Sequence, residues 1–180
     1  MSGDCRALRK LYQSHLRDLL VTAVGCGPLC GQGDWTARWD KPERRVAASS
    51  GWAGEGFELL RSQSLDEVVE THLLAASHGR TTGTGVTKPH FLDSIWAEYQ
   101  RNIEDRIDPV YTATRLVKHV VMHRPFADAN RRTSFLWSAT HFAAFGHRIV
   151  IDTPEAVRFK ESAKQARFEQ VYTWFEKQVR

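Results

Sequence analysis

Residues 123 to 133 read His-Arg-Pro-Phe-Ala-Asp-Ala-Asn-Arg-Arg-Thr, and they gather more chemistry into one short loop than any other stretch of the chain. His123 is of the type that takes a proton from an attacking hydroxyl near neutral pH. Asp128 is of the type that holds Mg²⁺, an ion that often uses one carboxylate together with substrate phosphates. Ala129, Asn130, Arg131 and Arg132 fall where the loop turns into a helical pattern. The first amides of a helix lack intrahelical partners and the dipole is positive there, so this turn is an anion site by position. Arg131 and Arg132 add guanidinium forks that match phosphate oxygens. Phe126 is expected to point inward and anchor the loop. Each residue alone has an ordinary reading: a solvated arginine pair, a capping aspartate, a histidine satisfying helix-end carbonyls. Together they point to phosphate handling.

The elements that must position this loop are helical. Val110, Ala113, Val117, Val120 and Val121 give one apolar face behind an Asp108-Pro109 start, with aspartate as cap and proline at the first helical position. Phe135, Ala139, Phe142 and Ala143 recur along a helix from Arg131 to Phe145, which Gly146 ends. Upstream, Ser64-Leu-Asp-Glu67 reads as a capping box opening a helix to about Ser77. A polar loop covers 79 to 90, and a helix with Ile95, Tyr99 and Ile103 on one side runs from Phe91 to about Asp105. Ile149 to Ile151 reads as extended. Thr153-Pro154-Glu155 caps a further helix, and Lys164 to Val179 reads as the last. Residues 4 to 24 form an amphipathic helix by periodicity, and 25 to 55 an irregular connection that Trp35, Trp39 and Trp52 tack to the body. The fold class expected is all-α.

At 180 residues, a net charge of +4 and a pI of about 9.1, the chain is an ordinary mildly basic globular protein. That balance suits an anionic ligand and falls short of the dense basic face of a nucleic-acid binder, so nucleic acid is not the expected partner. The three cysteines, Cys5, Cys26 and Cys30, are an odd number with no second ligand pair, and they read as reduced thiols. His119 and His123 are four apart, a metal-ligand spacing, but Val120 stands where the protease pattern needs glutamate. No apolar run is long enough to span a bilayer, and the charges among residues 6 to 18 break up any signal-peptide core. The expected compartment is the cytoplasm, with no membrane partner.

Pro125-Phe-Ala-Asp-Ala-Asn-Arg-Arg132 resembles the signature loop of Fic/Doc (Fido) proteins, His-Pro-Phe-x-Asp-Gly/Ala-Asn-Gly/Lys-Arg. The likeness covers residues 91 to 160, including the Phe-Gly-His-Arg-Ile stretch at 145 to 149. It implies a single helical domain over 61–180 with a helix–loop–helix active site and room for a short β-hairpin flap. Residues 1–60 would be a helical and irregular extension. The implied activity moves AMP or phosphate from ATP or a related nucleotide, with Mg²⁺, to a hydroxyl of a target protein. By position, Asp128 would be the metal ligand, Asn130 and Arg132 the phosphate holders, and Phe126 the anchor. Arg131 stands where adenylylating members carry glycine and the Doc toxins lysine. Together with Ala129, Thr133 and the Phe135 that replaces the second motif arginine, it brings the chain nearer to Doc. The target-docking flap of Fic proteins has the 79 to 90 loop as counterpart, with the 91 to 105 helix between it and the signature. No inhibitory glutamate helix is evident, so restraint would come from a separate antitoxin chain.

The likeness breaks at one position. Aligning Pro125-Phe126 puts Arg124 where the family's catalytic histidine belongs, and His123 lies one residue earlier. One residue turns a helical side chain by about 100°. Three arrangements follow. Proline distorts the helix end and lets His123 serve as base; or Arg124, always protonated, faces the pocket as a phosphate clamp; or another group is the base. The second leaves a domain that binds nucleotide or a partner protein without turnover.

Overall fold

The computed structural model describes residue 52 and residues 54–77, 81–165 and 167–180. The expected helix at 4 to 24, the three cysteines, Trp35 and Trp39 lie outside the described residues. Within them the protein is all-α, with seven helices: α1 Gly54–Arg61, α2 Leu65–Ser77, α3 Pro89–Glu104, α4 Pro109–His123, α5 Asn130–Ala144, α6 Thr153–Lys164 and α7 Phe168–Gln178. None is long and apolar enough to cross a membrane.

Helix α5 is the axis. Ser134, Phe135, Leu136, Trp137, Ser138, Ala139, His141, Phe142 and Ala144 are all buried, so it is covered on every side. Phe135, Ala139 and Phe142 enter one apolar cluster with α4, α6 and α7. Trp137, Ala144 and Phe145 enter another with α1, α2, α3 and Phe126. Each fully buried aromatic contributes roughly 1.5–3 kcal/mol by leaving water. Ser138, Thr140 and His141 of this axis find partners within it or on neighbouring helices. Ser138 donates to the Ser134 carbonyl at 2.9 Å and Thr140 to Leu136 at 3.0 Å. His141 donates from Nε2 to the Pro109 carbonyl and accepts from the Tyr99 hydroxyl at Nδ1, both at 3.0 Å. It therefore ties α3, α4 and α5 together, a role its sequence context does not announce. Burial pushes its pKa down to about 3, only partly countered by the Pro109 bond, so the ring is neutral.

Local signals set most helix ends. The Asp108 carboxylate accepts from the Tyr111 N–H at 2.8 Å and Pro109 begins α4. Asp152 accepts from the Glu155 N–H at 2.9 Å, which places the α6 cap one residue before the expected Thr153. The two last helices expected, one opening at Thr153-Pro154-Glu155 and one from Lys164 to Val179, are both present, but the second starts four residues later: α6 closes at Gln165, and α7 begins after an extended Arg167. Ile149 pairs antiparallel with Val179 through a single bridge. Trp52 packs among Phe142, Phe145 and His147. Helix α1 runs across the 60/61 division expected from sequence. At Gly56 it lies so close to α5 that a Cβ would fall 2.3 Å from the Phe145 ring.

Candidate functional site

The signature loop hangs between the end of α4 and the start of α5, and both ends adopt left-handed backbone. Arg124 closes α4 at φ 48°, its N–H bonded to the Val120 carbonyl at 3.1 Å, and its side chain is exposed. Such a left-handed residue is a common way to stop a helix, and Pro125 prevents its resumption. Ala129 precedes α5 at φ 56° and is buried. The first intrahelical bond runs from the Thr133 N–H to the Ala129 carbonyl at 2.8 Å, so the turn ahead of it lies outside the ladder.

Asn130 brackets the loop. Its Oδ1 accepts from the Phe126 N–H at 3.1 Å, and its Nδ2 donates to the Phe126 carbonyl at 2.8 Å and to the Asp128 carbonyl at 3.4 Å. The side chain expected to hold phosphate is thus committed to the loop backbone. Phe126 is 1 % exposed, and its ring stacks on His72 of α2 at 4.0 Å between centroids and 9° between planes.

The 81–88 segment lies over the loop although α3 and α4 separate the two in sequence. Thr87 and Lys88 donate their N–H groups to the Pro125 carbonyl at 2.8 and 3.1 Å, and Ala127 donates to Gly85 at 3.0 Å. Val86 and Phe126 form one antiparallel bridge. Among the described residues this pairing with the loop stands in place of a hairpin flap. Thr82 reaches farthest: its N–H and hydroxyl donate to Asp128 Oδ2 at 3.1 and 3.3 Å, while Oδ1 accepts from the Ala129 N–H. Burial alone would raise the Asp128 carboxyl, but these bonds and the nearby Arg132 guanidinium outweigh it and hold the pKa below the usual carboxylate value. Asp128 is an anion, half-buried, one residue ahead of a helix N-terminal turn.

Arg131 and Arg132 are both half-buried. Nη1 of Arg131 is buried. The charge of Arg132 acts on Asp128 and on His72. Asp128, Ala129, Asn130 and Arg132 are therefore gathered with Thr82 and His72.

His123 stands in other company. Its ring stacks on Phe91 of α3 at 4.6 Å and meets His119 edge-on at 5.6 Å. The Lys88 ammonium donates to its backbone carbonyl at 3.1 Å. Burial first, then Lys88 and Lys118, lower its pKa against the opposing pull of Glu98, so the imidazole is neutral at pH 7. Beside it, Glu98 Oε1 accepts two bonds from Arg115 at 2.6 and 2.9 Å, and His119 Nδ1 lies 3.2 Å from its Oε2, which ties α3 to α4. Burial overrides that carboxylate and lowers the His119 pKa to about 4.

Among the described residues no group of three or more His, Cys, Asp or Glu side chains converges as a metal cage. The fit for magnesium rests on Asp128 alone, an ionised carboxylate with lone pairs left over, and on oxygens a phosphate and water would bring. Sequence reasoning missed Thr82 and His72. Thr82 lay in a polar stretch with no local sign of its partner, and His72 was one polar residue on an amphipathic helix. Compared with protein-family models, curated proteins and solved structures, the chain finds no match.

Proposed function

We propose that this protein is a Fic/Doc-type transferase that seats a Mg²⁺–nucleotide on the Ala129–Arg132 turn and passes AMP or phosphate to a hydroxyl of a target protein. The observation that carries it is Asp128: an ionised carboxylate, held by Thr82 and Ala129, directly ahead of an α5 N-terminal turn that bears Arg131 and Arg132. Cationic side chains and turn amides hold the phosphate oxygens. Asp128 would hold magnesium, which supplies neutralising charge at those oxygens when bound. Asn130 and Phe126 keep the loop in shape for this.

In the transfer the target's hydroxyl oxygen forms a new bond to phosphorus. The bond to pyrophosphate breaks in AMP transfer, or the bond to ADP in phosphorylation, and the hydroxyl proton goes to a base. His123 is the candidate base because its imidazole is neutral. Its ring rests on Phe91, which leaves the edge nitrogens to accept a proton.

That position favours one second reading, nucleotide binding without turnover, in which His123 is a packing residue and Arg124 has replaced the family's base. Incubation of the full chain with Mg²⁺, cell lysate and ATP labelled at either the α or the γ phosphate separates the two. Label transferred to protein from α selects AMP transfer, and label from γ alone selects phosphorylation. Saturable ATP binding with no label from either position, unchanged by His123→Ala, selects the second reading. Absence of both binding and label overturns the proposal.

A further inference from the structure

His72 is fully buried in α2, 61 residues from its nearest hydrogen-bonding side chain, and three parts of its ring do three different things. We propose that His72 is the positioning residue of this site, a neutral imidazole protonated at Nδ1 that holds the 81–88 segment and the first turn of α5 in one frame around the signature loop. Its effect on ligand binding rests on the reading of the Ala129 turn as an anion seat; the frame itself does not.

The proton's place follows from the partners. The Gly85 N–H lies 3.3 Å from Nε2 and can only donate, so Nε2 carries no proton. A neutral ring then carries it at Nδ1, 3.0 Å from the Thr133 hydroxyl oxygen. Thr133 donates its own hydroxyl proton to the Ala129 carbonyl at 3.0 Å, which leaves its oxygen lone pairs to accept. Every donor has an acceptor along this path: Gly85 N–H to His72, His72 to Thr133, Thr133 to Ala129. The path ends on the non-glycine residue that holds the left-handed turn, a conformation costing roughly 1–2 kcal/mol that persists where the surroundings fix it. The ring face meanwhile lies flat on Phe126. The charged groups facing it are Asp128 from the loop and Arg132 from α5. They oppose each other, while burial disfavours the imidazolium.

Gly85 is three residues from Thr82, the residue that covers Asp128. By holding Gly85, His72 also keeps Thr82 over the carboxylate, and no other side chain offers a donor, an acceptor and a flat face at these three points. The functions separate by substitution. Glutamine reaches the Nε2 position with an acceptor and loses the Thr133 bond. Asparagine reaches the Nδ1 position with a donor and loses Gly85. Phenylalanine keeps only the stack.

The test uses the ¹⁵N-labelled full chain. In the wild type, the His72 nitrogens should report the Nδ1–H tautomer with a hydrogen-bonded, unprotonated Nε2, a measurement that needs no variant. A protonated Nε2 at pH 7 overturns the proposal. Gly85 amide exchange should stay slow in His72→Gln and accelerate about three- to tenfold in His72→Asn and His72→Phe, the span of one ordinary hydrogen bond. Equal exchange in Gln and Asn variants means that the residue only fills space, and it overturns the positioning role. Mg²⁺–ATP affinity should fall about three- to tenfold both in His72→Gln, which loosens the α5 turn, and in His72→Asn, which frees Gly85 and with it the Thr82 cover over Asp128. If the wild type binds no ATP while the tautomer and exchange results hold, the proposed function fails and the His72 frame stands.

Discussion

The two helix ends that meet across the signature loop are both closed by left-handed non-glycine residues, yet they are built differently. At the end of α4, Arg124 is exposed and its cap is a single backbone bond. His123 beside it lies on Phe91, under the charges of Lys88, Lys118 and Glu98. At the start of α5, Ala129 is buried, and Asp128, Asn130, Thr133, Thr82 and His72 all bond into the same few residues. One end is fixed by several side chains and carries the proposed anion seat. The other is held through the His123 and Pro125 backbone carbonyls, which accept from Lys88 and Thr87, and it carries the candidate base. A strained turn survives where several independent bonds fix it, and these are the conditions a preorganised binding turn requires.

The comparison can be broken most forcefully at Phe126. Phe126→Ala removes the anchor and the face on which His72 stacks, and the expected loss is about 3–5 kcal/mol in denaturant unfolding. A loss below about 1 kcal/mol would mean that the α5 end is no better fixed than the α4 end.

Acid gives the next effect. His72, His119, His123 and His141 all have pKa values below the ordinary 6.5, with His119 at about 4 and His141 at about 3. Between 6.5 and those folded values the unfolded chain binds more protons. Stability is therefore whole above 6.5 and falls with pH below it, by up to about 1.4 kcal/mol per pH unit for each histidine. Asp128 adds a share that is present above its ordinary 3.8 and lost as pH falls through its lower folded value. Urea midpoints measured from pH 7 to pH 4 should decline throughout, and a flat profile would contradict the neutral, buried imidazoles.

Three smaller substitutions sharpen the contrast. Asn130→Ala leaves the buried Phe126 N–H without its acceptor and should cost about 2 kcal/mol, whereas Arg124→Ala should stay within about 0.5 kcal/mol. Ala129→Gly relieves the left-handed turn and should raise stability by about 0.5–1 kcal/mol after the glycine's greater unfolded freedom is counted. Thermal melts of the three variants read both differences.

The all-α class and helices α2 to α5 were legible in the sequence, because apolar residues recur at helical spacing and Asp108-Pro109 and Ser64 mark the starts. Where α7 begins was not: no glycine or proline lies between Lys164 and Phe168 to mark the junction, and the last helix starts at Phe168 rather than Lys164. In the site, the loop residues could be found because they are contiguous. The bonds of His72 to Thr133 and of Thr82 to Asp128 join residues 61 and 46 apart, and no local pattern encodes them. The direction of His123 was equally hidden, since it depends on how α3 lies against α4.

The central claim is that a magnesium–nucleotide sits on the turn at Ala129. Calorimetric titration of the full chain with Mg²⁺–ATP tests it most directly, with Asp128→Ala, Arg132→Ala and His123→Ala alongside. The account predicts saturable binding, weakened about tenfold or more by each of the first two and unchanged by the third. No binding by the wild type, or equal affinity in all four proteins, would contradict it.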